Sequence, residues 1–287
     1  MRNPLLRRAA RTARAIAAVT RRPPFMPPGH FYSPLSAPAD VQRALEWLGF
    51  PPGAAPPGVD VRAAAQLELF TKLRPMIAEP FEGPRYTPDN SMYGPADGAV
   101  YRAMLRHLRP KRVMEIGSGF STALALDTAA AHLDGLELTC VEPYPDRLLS
   151  VLTEGDADRI TLVRRPVQEV PLDAYSTLEA GDVLFIDSTH VVKAGSDVVW
   201  LFLQVLPRLA RGVVVHVHDV FWPFEYPRAW LAEGRDWTEN YLLHAFLVGN
   251  ASWEMLLFPS WVWKEHPAEV PADLKAEEPG SIWLRAR

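Results

Sequence analysis

The chain has 287 residues, 48% of them hydrophobic, with a formal net charge of −4 and a single cysteine, Cys140. Length and apolar content suit one large domain with appended helices, the near balance of 30 basic and 34 acidic residues argues against a nucleic-acid partner, and one cysteine excludes an intramolecular disulfide. The lone cysteine suits a reducing cytosol, so a cytoplasmic protein is expected, and no run approaches the roughly 18 apolar residues of a membrane-spanning helix.

Arg2, Arg7, Arg8, Arg11, Arg14, Arg21 and Arg22 precede the first acid, Asp40. They interrupt the Ala-rich stretch from Ala9 to Val19, so no signal-peptide core forms; the stretch reads as a solvated basic helix with scope for weak contact to an anionic membrane surface. Pro23, Pro24, Pro27 and Pro28 end it, which makes residues 1–28 an arm. Residues 29–108 read as a helical lid or extension. His30 and Tyr32 sit in its first loop, as part of a flap or as surface packing. Helices follow over Asp40–Leu48, Val61–Leu73 and Ala99–Leu108, with a loop carrying Asn90 and Tyr93 between the last two.

Residues 109–287 read as the main domain. Val113, Met114 and Ile116 form a short buried strand, and Glu115 beside Gly117-Ser118-Gly119 marks a sharp turn. Glycines there permit positive φ and close approach of a ligand to the main chain, while Ser121 or Thr122 caps a helix through Ala131. A dinucleotide site would want a third glycine where Thr122 stands. Glu115 would also repel a diphosphate, but it suits a ligand bearing an ammonium and a sulfonium. The E-x-G-x-G turn of Glu115, Gly117 and Gly119 resembles the first motif of class I S-adenosylmethionine-dependent methyltransferases.

The strand Leu136–Val141 ends at Glu142, placed to bind ribose hydroxyls, and Tyr144 follows as a candidate adenine contact. A helix over Asp146–Leu152 and a strand over Ile160–Val163 lead to Val167-Gln168-Glu169. The next strand, from Asp182, delivers Asp187 and His190 to the carboxyl edge of a parallel sheet, where ligands bind. Ser196 caps a helix reaching Leu209, and the strand Val213–Val217 ends in His218-Asp219, with His216 and His218 on one face. Trp222, Phe224, Tyr226 and Trp230 then form a substrate wall or a lid packed on the core. A helix over Thr238–Leu247 and strands over Trp253–Phe258 and Ile282–Arg285 complete the pattern.

The runs FIDSTHVVKAGSDV and VHVHDVFWPFEYP, within a likeness spanning Tyr86 to Phe258, resemble bacterial class I methyltransferases of the small-molecule type. The arm and the Trp261–Pro279 stretch depart from that family's minimal domain. The resemblance implies an α/β, Rossmann-like, seven-stranded, mostly parallel sheet of order 3-2-1-4-5-7-6, here with an N-terminal helical extension. It implies S-adenosyl-L-methionine as cofactor and methylation of a small-molecule acceptor, most readily at oxygen. The implied cofactor set is Tyr93, Glu115, Gly117, Ser118, Gly119, Ser121, Thr122, Glu142, Tyr144, Gln168 and Asp187. Two catalytic arrangements stand open. In one, neutral His190 or His218 removes the acceptor proton with Asp187 or Asp219 fixing the tautomer; in the other, Asp187, His218, Asp219 and His190 hold a divalent metal, magnesium or iron. The rivals are a metal-dependent redox enzyme of non-haem iron type on the same fold, and a non-catalytic binding protein that keeps the cofactor fold. A homodimer is the candidate assembly.

Overall fold

The structure, a computed structural model, describes residues 24–47 and 55–287. The basic arm with its seven arginines, residues 2–22, lies outside them. The described chain divides into two compact units, one of residues 24–47 with 228–236, the other of residues 55–227 with 237–287.

The larger unit is built on a seven-stranded sheet of order β3-β2-β1-β4-β5-β7-β6, as the resemblance implied. Its strands are β1 (Arg112–Ile116), β2 (Glu137–Val141), β3 (Ile160–Val163), β4 (Val183–Ile186), β5 (Val214–His218), β6 (Trp253–Leu257) and β7 (Ser281–Ala286). The first five pair in parallel, and β7 runs antiparallel to both β5 and β6. Val183–Ile186 and Val214–His218 are buried at every position, the pattern of central parallel strands covered on both faces.

Register decides which side chains share a layer. Glu115 pairs with Phe185, Phe185 with His216 and His216 with Trp283, whereas Ile116 pairs with Ile186 and Ile186 with Val217. Gly117, Asp187 and His218 therefore stand one step beyond the second of these layers, at the carboxyl edge. The amide of Gly117 donates to the Val141 carbonyl (3.0 Å), that of Glu142 to Val163 (3.0 Å) and that of Asp187 to Ile116 (2.8 Å), so the ladder extends to the residues that turn away from the sheet.

The helices before β1 belong to the core. α1 (Ala63–Ile77) buries Phe70, Leu73 and Ile77, and α2 (Pro95–Leu108) buries Tyr101, Met104 and Leu105. Pro95 opens α2, so this helix starts earlier than the sequence suggested, because proline at the first position loses no helical hydrogen bond. α3 (Phe120–His132) follows the glycine turn. The helix after Ser196 is not continuous to Leu209 as expected. Ser196 does cap Asp197–Trp200, its hydroxyl accepting from the Val199 amide at 3.3 Å, but the coil widens over Leu201–Val205 and tightens over Leu206–Arg208 around Pro207. The last helix used below is α4 (Glu239–Leu247).

The smaller unit holds a helix over Pro38–Trp47 and another over Arg228–Ala232. The Ser36 amide donates to Asp236 Oδ1 (3.0 Å), and Arg228 donates to the Leu45 carbonyl (3.0 Å). Here His30, Phe31 and Tyr32 stack on one another, with Phe31 and Tyr32 exposed. No described helix is long and apolar enough to cross a membrane.

Candidate functional site

The turn after β1 needs glycine for a steric reason. Gly117 has φ +82, and a Cβ there would stand 1.9 Å from the Asp187 carbonyl oxygen, so β1 and β4 can approach only without a side chain. Gly119, and not Ser121 or Thr122, occupies the cap of α3. Thr122 sits one turn in, where its hydroxyl accepts the Gly119 amide (3.2 Å) and donates to Glu115.

Glu115 departs from the expectation of a cofactor counter-charge. Its place in the layer of Phe185 and His216 turns it toward α2, where it is fully buried and accepts hydrogen bonds from the Tyr101 hydroxyl (3.1 Å) and Thr122. Burial pushes its carboxyl up to about 7, against the pull of those hydroxyls. Neither Glu115 nor Thr122 lines a cleft. Ser118, Gly119 and Ser121 do.

Two clefts meet over this turn. One, of about 300 Å³, runs from Tyr93 and Ser118 to His218, Asp219 and Trp237; the other, of about 400 Å³, runs from Glu142 and Tyr144 to Gln168 and Gly195. They share Gly117, Glu142, Asp187, Ser188 and Thr189. At the junction Glu142 accepts the Ser118 amide (3.3 Å) and the Tyr144 amide (2.8 Å), which aims the carboxylate and leaves lone pairs for a ligand. Gln168 closes the far wall by donating to the Gly195 carbonyl (2.9 Å), and Tyr144 stands on the rim, exposed. Tyr93 is fixed through its backbone by Asn90, whose side chain bonds both its amide and its carbonyl at 2.7 Å. Its ring lies 5.0 Å from His218, and its buried hydroxyl has no partner among the described residues.

The acid and imidazole groups gather at the other end of the first cleft. Asp187 follows β4, His218 ends β5, and Asp219 takes a left-handed φ of 56 just beyond it. His190 Nε2 lies 3.3 Å from Asp187 Oδ1 and 3.4 Å from Asp219 Oδ2, while its Nδ1 lies 2.8 Å from Glu239 Oε2. Burial works against a charged His190, but the hydrogen bonds to Asp187 and Glu239 and the charge of Asp219 outweigh it and hold the ring well above its ordinary range. His190 is thus not the neutral base of the sequence reading, since a carboxylate occupies each nitrogen. His218 Nε2 is 3.7 Å from Asp219 Oδ1, and its Nδ1 has no partner among the described residues. Burial lowers its basicity, yet Asp219, Asp187 and Asp97 together raise it. Asp97 on α2 is half-buried, and desolvation lifts its carboxyl to about 7.

Donor atoms of Asp187, His218 and Asp219 lie within 4.8 Å of one another. His190, expected as a fourth metal ligand, is not in that group. Its ring instead spans the carboxylates of Asp187 and Asp219.

His216 shares a face with His218 as alternation required, but it is stacked on Phe185 (4.2 Å) within the core, and burial holds it neutral. Trp222, Phe224 and Tyr226 are buried; Trp222 and Phe224 pack on Phe258, so neither is a substrate wall. The tryptophan that lines the cleft is Trp237, packed on His190, whose other nitrogen meets Glu239. The sequence carried only one trace of these residues, the start of a helix at Thr238.

The profile of a family described as a methyltransferase domain matches residues 114–220, from β1 to just past His218-Asp219. An uncharacterised protein of Archaeoglobus fulgidus is 32% identical over 166 residues, covering 53% of this chain and 73% of its own length. Among solved structures, the methyltransferase PaMTH1 of Podospora anserina bound to SAH is 18% identical, with a TM-score of 0.47 over 87% of this chain and 96% of its own. The O-methyltransferase TomG of Streptomyces achromogenes in complex with SAM is 16% identical, with a TM-score of 0.43 over 86% of this chain and 95% of its own. At such scores these two likenesses add nothing to the strand order read from the chain's own pairing. The chain belongs to the class I S-adenosylmethionine-dependent methyltransferase family.

Proposed function

We propose that this enzyme transfers the methyl group of S-adenosylmethionine to a small molecule at oxygen, with the nucleoside in the cleft at Glu142 and the acceptor in the cleft at His218. The observation that carries the reading is the junction of the two clefts over Gly117 and Glu142, within reach of Asp187. The buried Tyr93 hydroxyl, Ser188 hydroxyl and His218 Nδ1 have no partners among the described residues and belong to residues that line this cleft, a mark of polar groups kept for a ligand. Bound S-adenosylmethionine supplies a methyl group on a sulfonium, already a good leaving group.

The chain's own task is positioning and handling one proton. Glu142 accepts the ribose hydroxyls, and Gln168 bounds the adenine end. Trp237 flanks the acceptor, and His218, oriented by Asp219, takes the hydroxyl proton at the atom left without a partner, Nδ1. Titration calorimetry with SAH and with NAD tests the cofactor, and transfer of labelled methyl to a panel of hydroxyl-bearing small molecules tests the reaction. Binding of SAH without transfer to any acceptor would favour a non-catalytic binding protein. Tight NAD binding with none for SAH would sink the proposal.

A further inference from the structure

Asp187 and Asp219 leave neighbouring parallel strands with their carboxylates turned to one another, in a cleft that exposes only 34% and 19% of their side chains. Two like charges so placed need a counter-charge. The chain supplies it from a third element. His190 Nε2 stands between the pair, 3.3 Å from one oxygen and 3.4 Å from the other. Its Nδ1 is 2.8 Å from Glu239, a carboxylate 1% exposed whose second oxygen has no partner among the described residues.

The ring is held on every side. The His190 backbone is left-handed (φ 61), and its carbonyl accepts the amides of Thr238 (2.9 Å) and Glu239 (3.1 Å), which ties it to the first turn of α4. Thr238 Oγ1 accepts the Val192 amide (2.7 Å), closing the loop on its far side, and Trp237 packs 4.4 Å from the imidazole. Three carboxylates around one fixed imidazole make a site for a cation that the chain already carries. A divalent ion bridging Asp187 and Asp219 would compete with that ring for the pair's negative charge.

We propose that His190, fixed by Glu239, is the built-in counter-charge of the Asp187–Asp219 pair, and that it excludes a tightly bound divalent metal from this site. Glu239 acts through His190 and is a positioning residue. The inference takes the purpose of the site from the methyl-transfer reading, but its geometry and its test stand apart from cofactor chemistry.

Calorimetric titration of the full chain with Mn²⁺ tests it, with SAH titrated in parallel to report the fold of each protein. The wild type should bind Mn²⁺ no tighter than about 1 mM, the weak end of protein cation sites. His190→Gln, which fills the space without the charge, should tighten Mn²⁺ binding by roughly tenfold or more, since the bare carboxylates then seek a cation. Glu239→Gln should move affinity in the same direction by a smaller factor, and adding Asp187→Asn to His190→Gln should abolish the gain. Stoichiometric, tight Mn²⁺ binding by the wild type would overturn the proposal with no variant needed. So would a folded His190→Gln protein whose Mn²⁺ affinity is unchanged. If no protein binds SAH while the Mn²⁺ series behaves as expected, the methyl-transfer reading fails and the counter-charge stands.

Discussion

Two carboxylate clusters lie within a few residues of the same sheet edge and meet opposite fates. At β1, Glu115 is fully buried and receives hydroxyls from Tyr101 and Thr122, with a carboxyl held near neutrality by burial. Beyond β4 and β5, Asp187 and Asp219 face a cleft and an imidazole, and His190 and His218 hold the Asp187 carboxyl below its ordinary range although burial works against it. Two strand positions separate them, since Glu115 is level with Phe185 whereas Asp187 follows Ile186. In a strand two steps restore the same face, so the acids differ in depth and not in side: the one inside the sheet is covered by Tyr101 of α2, and the one past its end opens on the cleft. The first is closed within the core, and the second opens on the cleft.

The sharpest way to break this division is at His218. His218→Ala should lower methyl transfer by roughly 10²–10⁴-fold, the usual worth of a positioned proton acceptor, while leaving SAH affinity within a few-fold. Single-turnover transfer alongside SAH calorimetry separates the two, and an unchanged rate would remove His218 from the chemistry.

Glu115 should instead register in stability. Its folded carboxyl sits at about 7, above the unfolded 4.5, so the folded state holds the proton more tightly. Its contribution is complete below about pH 4.5 and is lost as pH rises through about 7, a fall on the order of 3 kcal/mol. Denaturant unfolding from pH 5 to 8 should show Glu115→Gln losing less stability over that window than the wild type. Parallel curves for the two proteins would place the proton elsewhere.

Glu142 tests the cleft at the other end of the cofactor. Glu142→Ala removes a charged acceptor and should weaken SAH binding by about 1–3 kcal/mol with no comparable loss of stability. An equal dissociation constant would take the residue out of the site. The smallest effect is expected from deleting residues 1–23, which should leave SAH affinity unchanged because the proposed cofactor residues run from Tyr93 to Asp187. A drop in affinity would assign the arginine-rich arm a part in binding.

Local pattern in the sequence was enough to locate the strands and the residues at their ends. Apolar runs of four or five residues closed by Gly117, Glu142, Asp187 and His218-Asp219 mark β1, β2, β4 and β5 because a buried parallel strand must be apolar until it leaves the sheet. The strand order came with the family resemblance, as no local signal encodes which strands become neighbours. What only the tertiary structure decided is which polar group answers which. Glu115 reads as a ligand partner in a turn motif, yet register with Phe185 and the arrival of Tyr101 from α2 make it part of the core. His190 reads as a free base until α4, 49 residues further along, brings Glu239 to its second nitrogen. Trp222 and Phe224 read as a wall beside Asp219 until Phe258 covers them, leaving Trp237 to line the cleft. Such pairings depend on distances between residues remote in the chain, and the desolvation that sets their charges exists only once those residues have met.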